Sequence, residues 1–256
     1  MTGPWLSPKA AQSAERLLIC LPHAGGGALA YLSWRREFAP HVEVLPALLP
    51  GRDDRGDEQP VSDIDALVTE LAAAVADRAD RPFALYGHSM GALLAFELAH
   101  AVTELGKAPV CLVVSGCDAP HRHKPAHGPD ETDEELTGVL LELGGTDPEI
   151  VDYPELLGAV IRTLRTDLAL EQRYRFRRRP PLSAPVTAVA GADDPYVTWD
   201  GLAAWSELTR GRARIELVRG GHFPRGAGRQ ELLAVIRQEM TARSGDDVRV
   251  RGRHGP

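Results

Sequence analysis

Short apolar runs alternate with stretches of helical periodicity along most of this chain. Residues 17–21 are apolar and stop at Pro22, as a buried strand would. A loop of small residues follows, Pro22-His23-Ala24-Gly25-Gly26-Gly27, and then a helical pattern over 30–38. Residues 42–49 predict a second strand that ends at Pro50-Gly51. The charged loop 52–58 leads to Ser62, a candidate N-cap for a helix on which Ile64, Leu67, Val68, Leu71 and Val75 share one face. Next come a strand over 83–86, a helix over 90–103 and a strand over 110–114. Such alternation argues for a parallel sheet covered by helices on both faces.

The rhythm breaks between 118 and 183, where no strand is predicted and 134–143 and 154–170 read as helices. It resumes with a strand over 186–190, a helix over 200–208, a strand over 215–218 and a helix over 230–241. The simplest organisation is an α/β core made of 1–117 and 184–243, with 118–183 inserted between two sheet strands as a helical lid. The polar, charged tail 244–256 is expected to be disordered.

Composition narrows the function classes. A chain of 256 residues with 43% hydrophobic and 25% charged residues can build one large soluble domain. A net charge of -7 argues against a dedicated nucleic-acid binder. Cys20, Cys111 and Cys117 are too few, and odd in number, for a disulfide framework, so a reducing cytoplasm is expected. Cys20 and Cys111 lie in apolar runs and read as core residues. Residues 1–16 hold no apolar stretch long enough for a signal peptide, and no segment approaches the length of a membrane span.

The chemistry concentrates in Gly87-His88-Ser89-Met90-Gly91, a G-x-S-x-G pattern with a strand leading in and a helix leading out. That is a nucleophile elbow, a sharp strand-to-helix turn that lifts a serine hydroxyl clear of the sheet. A serine hydroxyl needs a base, and the base needs an orienting acid. Asp193 and Asp194 follow the strand over 186–190, and His222 follows the strand over 215–218. Three strand ends thus supply serine, acid and histidine in the chain order this elbow requires. Adjacent residues on an extended segment point apart, so only one of the two aspartates can reach His222. Met90, the residue after the nucleophile, offers one backbone N–H to an oxyanion, and Ala24 in the first loop offers the other. His23 sits in that loop, and His88 is expected to point away from the chemistry. His41 and His100 read as surface or packing residues. His121, His123 and His127 lack a metal-ligand spacing and read as a solvated loop, so no metal is expected.

The chain resembles the stand-alone type II thioesterases of polyketide and nonribosomal peptide biosynthesis. The resemblance rests on Leu21-Pro22-His23-Ala24-Gly25-Gly26, on Leu49-Pro50-Gly51-Arg52 with Arg55, and on Tyr86-Gly87-His88-Ser89-Met90-Gly91. It continues through Leu143-Gly144-Gly145-Thr146, Leu164-Arg165-Thr166-Asp167 and Gly220-Gly221-His222-Phe223, and so spans nearly the whole chain. It implies an α/β-hydrolase fold with a helical lid before the strand bearing the catalytic aspartate. It also implies Ser89 as nucleophile, Asp194 as acid, His222 as base, and the Ala24 and Met90 amides as oxyanion hole. The expected activity is hydrolysis of acyl groups from the phosphopantetheine thiol of acyl or peptidyl carrier proteins, an editing reaction with no cofactor. Two departures, Arg162-Thr163 where relatives often have proline and Pro224 where they often have an aromatic residue, touch the pocket or its rim. The rival readings are a general carboxylesterase or lipase on the same fold, a product-releasing thioesterase, and a binding module without activity. The run from Arg173 to Arg179 reads either as a solvated face or as a docking patch for an acidic carrier protein.

Overall fold

The computed structural model describes residues 4–8, 14–143 and 145–241. The tail 244–256, read as disordered from its sequence, lies outside the described residues, as does Gly144. Six strands form one sheet: β1 (Arg16–Leu21), β2 (Val42–Pro46), β3 (Phe83–His88), β4 (Leu112–Ser115), β5 (Val186–Gly191) and β6 (Ala213–Val218). Their order is β2-β1-β3-β4-β5-β6, and every neighbouring pair is parallel. Among the described residues, seven α-helices accompany them: α1 (Leu32–Phe38), α2 (Ile64–Arg78), α3 (Met90–Glu104), α4 (Asp133–Leu143), α5 (Pro154–Arg173), α6 (Trp199–Ala203) and α7 (Gly226–Thr241).

Alternation along each strand divides the core. Leu17, Ile19 and Leu21 of β1 face α2 and α3, while Leu18 and Cys20 face α1 and α7. Apolar side chains cover both faces, which is why the strands read as continuous apolar runs rather than alternating ones. The chain leaves β1 for β2 on one side and returns to β3 on the other. Loops from β1 and β3 therefore open onto the crevice where the strand order reverses, the place where open parallel sheets bind ligands.

Several local expectations shift. The N-cap of α2 is Asp63, not Ser62: its carboxylate accepts the Ala66 N–H at 2.9 Å. The second strand stops at Pro46, short of residue 49. Pro46 has no N–H to extend a ladder, and Ala47 instead bridges Leu6 in antiparallel fashion. The helices expected over 30–38 and 200–208 each break into an α-helix and a 3₁₀ turn, Ala28–Tyr31 before α1 and Ala204–Leu208 after α6.

Between β4 and β5 the described residues of 118–183 form no named strand. Thr132 and Glu135 start α4 with a reciprocal capping box, the Glu135 N–H reaching the Thr132 hydroxyl and the Thr132 N–H reaching the Glu135 carboxylate. Leu136 and Leu140 of α4 and Ile161, Leu164 and Leu168 of α5 make a small apolar cluster separate from the main core. Polar contacts attach its far end to the sheet domain. Tyr174 donates to Glu97 of α3 at 2.7 Å, Arg179 bonds the same carboxylate, and Arg177 makes a fork to Asp65 of α2. Within the arginine run, Arg177 and Arg179 hold the end of the insertion to α2 and α3, while Arg175 bonds carbonyls of its own segment. No described helix is long and apolar enough to cross a membrane.

Candidate active site

Ser89 sits between β3 and α3 at φ 54° and ψ -123°, a conformation that side chains seldom adopt. The surroundings hold it there: the Ser89 N–H donates to Ser115 O of β4 at 2.8 Å, and Ser89 O accepts the Ala92 N–H at 2.8 Å. Two close approaches explain the flanking glycines. A Cβ on Gly87 would lie 2.0 Å from Gly91 O, and one on Gly91 would lie 2.3 Å from Leu21 O. The backbone packs so tightly at the elbow that the serine is its one protruding side chain.

Two more strand ends bring the partners. Asp194, in the turn after β5, and His222, in the turn after β6, are both buried. His222 Nδ1 lies 2.9 Å from Asp194 Oδ2 and 3.1 Å from Oδ1. A carboxylate there places the ring proton on Nδ1 and leaves Nε2 to accept. Asp194 Oδ1 also accepts the Tyr196 N–H at 3.0 Å, which fixes the carboxylate. Asp193 is exposed, and its N–H donates to Gly220 O at 3.0 Å. Of the adjacent pair, Asp194 is the one that meets the histidine.

Ala24 lies in a turn at the end of β1. Gly26 N–H donates to His23 O at 3.0 Å, and Gly25 takes φ +75° at the third position, as in a type II turn. The His23–Ala24 peptide directs its carbonyl into the turn, so the Ala24 N–H on its opposite edge points outward. Met90 opens α3, where a helix N–H has no intrahelical acceptor. Ser89, His222, His23 and Ala24 border one cavity of about 90 Å³. The insertion supplies apolar lining from Val139, Leu140, Leu164 and Leu168 and polar lining from His123 and Glu171, and Tyr196 joins from the turn after β5.

Two histidines that the sequence left outside the site stand beside it: His23 lines the cavity, and His88 packs against His222 without lining it. His88 does not point away: its ring centroid is 4.8 Å from that of His222 and 4.7 Å from that of Phe223. Its Nδ1 pairs with the Ser115 hydroxyl at 2.7 Å. His23 packs edge-on to Phe223 at 4.6 Å. Burial, followed by the nearby His222 charge and that of Arg52, pulls the His23 pKa down to about 4. Burial, with the charges of His222 and His23, also holds His88 well below the usual imidazole value. Both rings are neutral near pH 7, so neither competes with His222 for a proton. Cys117 borders the cavity, but burial and then the Glu171, Asp118 and Asp194 carboxylates push its thiol pKa up. It is no rival nucleophile.

The remaining histidines separate. His41 is exposed near Glu15, and His100 is buried against Phe96. His121, His123 and His127 are partly buried rather than solvated, and each meets a different carboxylate: Glu207 at 3.3 Å, Glu171 at 2.8 Å and Glu131 at 3.2 Å. Among the described residues, no three His, Cys, Asp or Glu side chains converge as a metal site. The sequence offered no signal for the role of Ser115, which reaches the site through its pairing with His88 across β3 and β4, whereas Tyr196 and Phe223 are carried in beside Asp194 and His222.

A family model described as the thioesterase domain matches residues 16–240. Linear gramicidin dehydrogenase LgrE of Brevibacillus parabrevis is 35% identical over 243 residues, 92% of this chain and 91% of its own. Gramicidin S biosynthesis protein GrsT of Aneurinibacillus migulanus is 35% identical over 224 residues, 86% of this chain and 87% of its own. The type II thioesterase BorB from the borrelidin biosynthetic cluster superposes with a TM-score of 0.84 at 38% identity, covering 94% of this chain and 100% of its own.

Proposed function

The chain belongs to the thioesterase domain family, and from that premise we propose that it hydrolyses acyl groups from the phosphopantetheine thiol of carrier proteins, editing polyketide or nonribosomal peptide synthesis. The observation that carries this reading is Ser89 on a strained elbow sharing a cavity with a His222 that Asp194 already orients. His222 takes the Ser89 proton as the hydroxyl attacks the thioester carbon. The Ala24 and Met90 amides receive the oxyanion. A thiol with a pKa near 8.5 leaves with little acid assistance. Water then attacks the acyl-serine with His222 again as base, and no cofactor enters. The insertion acts as the lid that forms the acyl wall. Three free, buried cysteines suit a reducing cytoplasm.

The named relatives from gramicidin and borrelidin pathways support carrier-bound substrates over simple esters. The test is mass spectrometry of a panel of acyl-loaded carrier proteins after exposure to the enzyme, beside simple oxygen esters. Loss of acyl groups from the carriers, with slow ester turnover, is the expected result. Equal or faster ester turnover turns the reading to a general carboxylesterase.

One relative is named a dehydrogenase, and Gly25-x-Gly27-x-x-Ala30 after β1 has the spacing of a dinucleotide loop. In such a loop the free amides bind pyrophosphate. Here Asp167 accepts the Gly25 N–H and Asp53 accepts the Ala28 N–H, two carboxylates that repel a pyrophosphate. Fluorescence titration with reduced nicotinamide dinucleotide is expected to show no binding, and saturation at micromolar concentration would reverse this choice.

A further inference from the structure

Asp167 lies on α5, inside the insertion, and is only 2% exposed. Its Oδ2 accepts the Gly25 N–H at 2.8 Å and Arg52 Nη1 at 2.7 Å, and its Oδ1 accepts Arg52 Nη2 at 2.6 Å. The same Arg52 Nη1 donates to Gly26 O at 2.8 Å. The carboxylate therefore grips the Ala24–Gly25 peptide by its N–H, and the guanidinium grips the Gly26–Gly27 peptide by its carbonyl, at the middle and the exit of the turn. Both charges are buried, Arg52 with a side chain 8% exposed, and a fork between them has one favoured geometry.

We propose that Asp167 and Arg52 are positioning residues that hold the turn His23–Gly26 so that the Ala24 N–H meets the oxyanion; this rests on the serine-hydrolase reading above. The turn depends on the orientation of the Ala24–Gly25 peptide, because Gly25 sits at positive φ. Unclamped, that peptide can flip and Gly26 can shift, which loosens the Gly26 N–H to His23 O bond that orients the His23–Ala24 peptide and its Ala24 N–H. An oxyanion donor acts only when it is already aimed at the forming charge. Leu164 and Leu168 on the same helix line the cavity, so the helix that touches the acyl group also fixes the hole. Either step of the reaction passes through a tetrahedral oxyanion, so both should suffer when the clamp is lost.

The experiment uses Asp167→Asn, Arg52→Met and Arg52→Lys, with Arg165→Met as a control. Arg165 sits on the same helix but bonds Pro129 O, Glu131 O and Asp133, away from the turn. Circular dichroism and thermal melts establish folding. Steady-state turnover of a short acyl N-acetylcysteamine thioester, and the affinity of a trifluoromethyl ketone that becomes tetrahedral on Ser89, give the readouts. We expect Asp167→Asn and Arg52→Met to lower kcat about 10- to 100-fold, somewhat less than outright deletion of an oxyanion donor. KM should change by less than about threefold, with ketone affinity falling in step with kcat. Arg52→Lys should recover part of the loss, and the double variant should be no worse than the poorer single one. Arg165→Met should lower the melting temperature with kcat unchanged. If Asp167→Asn does not fold, Arg52→Lys and Arg52→Met decide alone. Unchanged kcat in a folded clamp variant, or a rise in KM with kcat and ketone affinity intact, overturns the proposal. Failure of the wild type to bind the ketone or react with a fluorophosphonate overturns the serine-hydrolase reading instead, and this one with it.

Discussion

Along the carboxyl edge of the sheet, Ser89 and Asp194 follow the fully buried strands β3 and β5 and His222 follows the edge strand β6, whereas the inserted helices add several ion pairs to the few apolar contacts that tie them to the core. The edge draws its rigidity from β-ladders and two apolar layers. The insertion has a five-residue apolar cluster of its own and reaches the core through Leu170 and through Asp167–Arg52, Arg179–Glu97 and Arg177–Asp65. A bond rearrangement needs reacting atoms that do not move, and a close-packed sheet provides them. A wall that must admit an acyl chain on a carrier arm is better attached by contacts that depend on geometry, charge and pH. The Arg52–Asp167 fork is where the two regimes meet.

The largest effect should come from the edge. Ser89→Ala is expected to remove fluorophosphonate labelling and to lower thioester turnover by about 10⁴-fold or more, with an unchanged melting curve. Near-normal turnover would move the chemistry away from the edge altogether. Next in size is the aspartate pair. Asp194→Asn should lower kcat roughly 10³- to 10⁴-fold by presenting an amide to His222 Nδ1, while Asp193→Asn should stay within about twofold of wild type. Steady-state kinetics of the two variants decide it, and the reverse ranking would discard the Asp194 assignment.

Acid should act on the wall of the site before it acts on the sheet. His23, with a folded pKa near 4, and His88, also lowered, are neutral in the folded protein. The unfolded chain binds their protons from about pH 6.5 downward, so stability from these groups is complete above that value and falls as the pH drops toward 4. Urea midpoints at pH 7.5 and 4.5 should differ by a stability loss on the order of 1 kcal/mol or more, and His23→Gln should shrink the difference. A flat profile would mean that these rings are charged in the fold.

The smallest effect concerns the arginine run. Arg179 pairs with the buried Glu97, so Arg179→Ala should cost about 1–3 kcal/mol of stability, while the exposed fork of Arg177 to Asp65 contributes about 1 kcal/mol or less. Changing Arg177, Arg178 and Arg179 together should alter kcat/KM equally for a carrier-bound and a small thioester. A loss confined to the carrier substrate, and weaker at high salt, would restore the docking reading of this run.

Much of this was legible in the residues. Apolar runs of strand length and helices of 3.6-residue period gave the order of elements, because burial on both sheet faces imposes a local pattern. Gly87-x-Ser89-x-Gly91 was readable because the elbow's steric demand falls on neighbours in the chain. Asp194 and His222 followed from strand ends and chain order. Strand and helix ends were less legible: Pro46, Asp63 and the 3₁₀ turns depend on which neighbour offers a hydrogen bond. The insertion's helices were readable, but their contacts were not.

The sequence by itself determined the class of fold, the elbow at Ser89, the strand-end positions of Asp194 and His222, and the break between β4 and β5, all of them set by interactions within a few residues or by patterns repeated along the chain. Tertiary structure alone decided that His88 and His23 stand neutral beside His222, and that His121, His123 and His127 go to three different carboxylates. It also decided that Arg177 and Arg179 go to Asp65 and Glu97, and that Asp167 reaches Gly25, 142 positions away. Those pairings join segments with no shared periodicity, and only the closing of the sheet brings their charges within hydrogen-bonding distance.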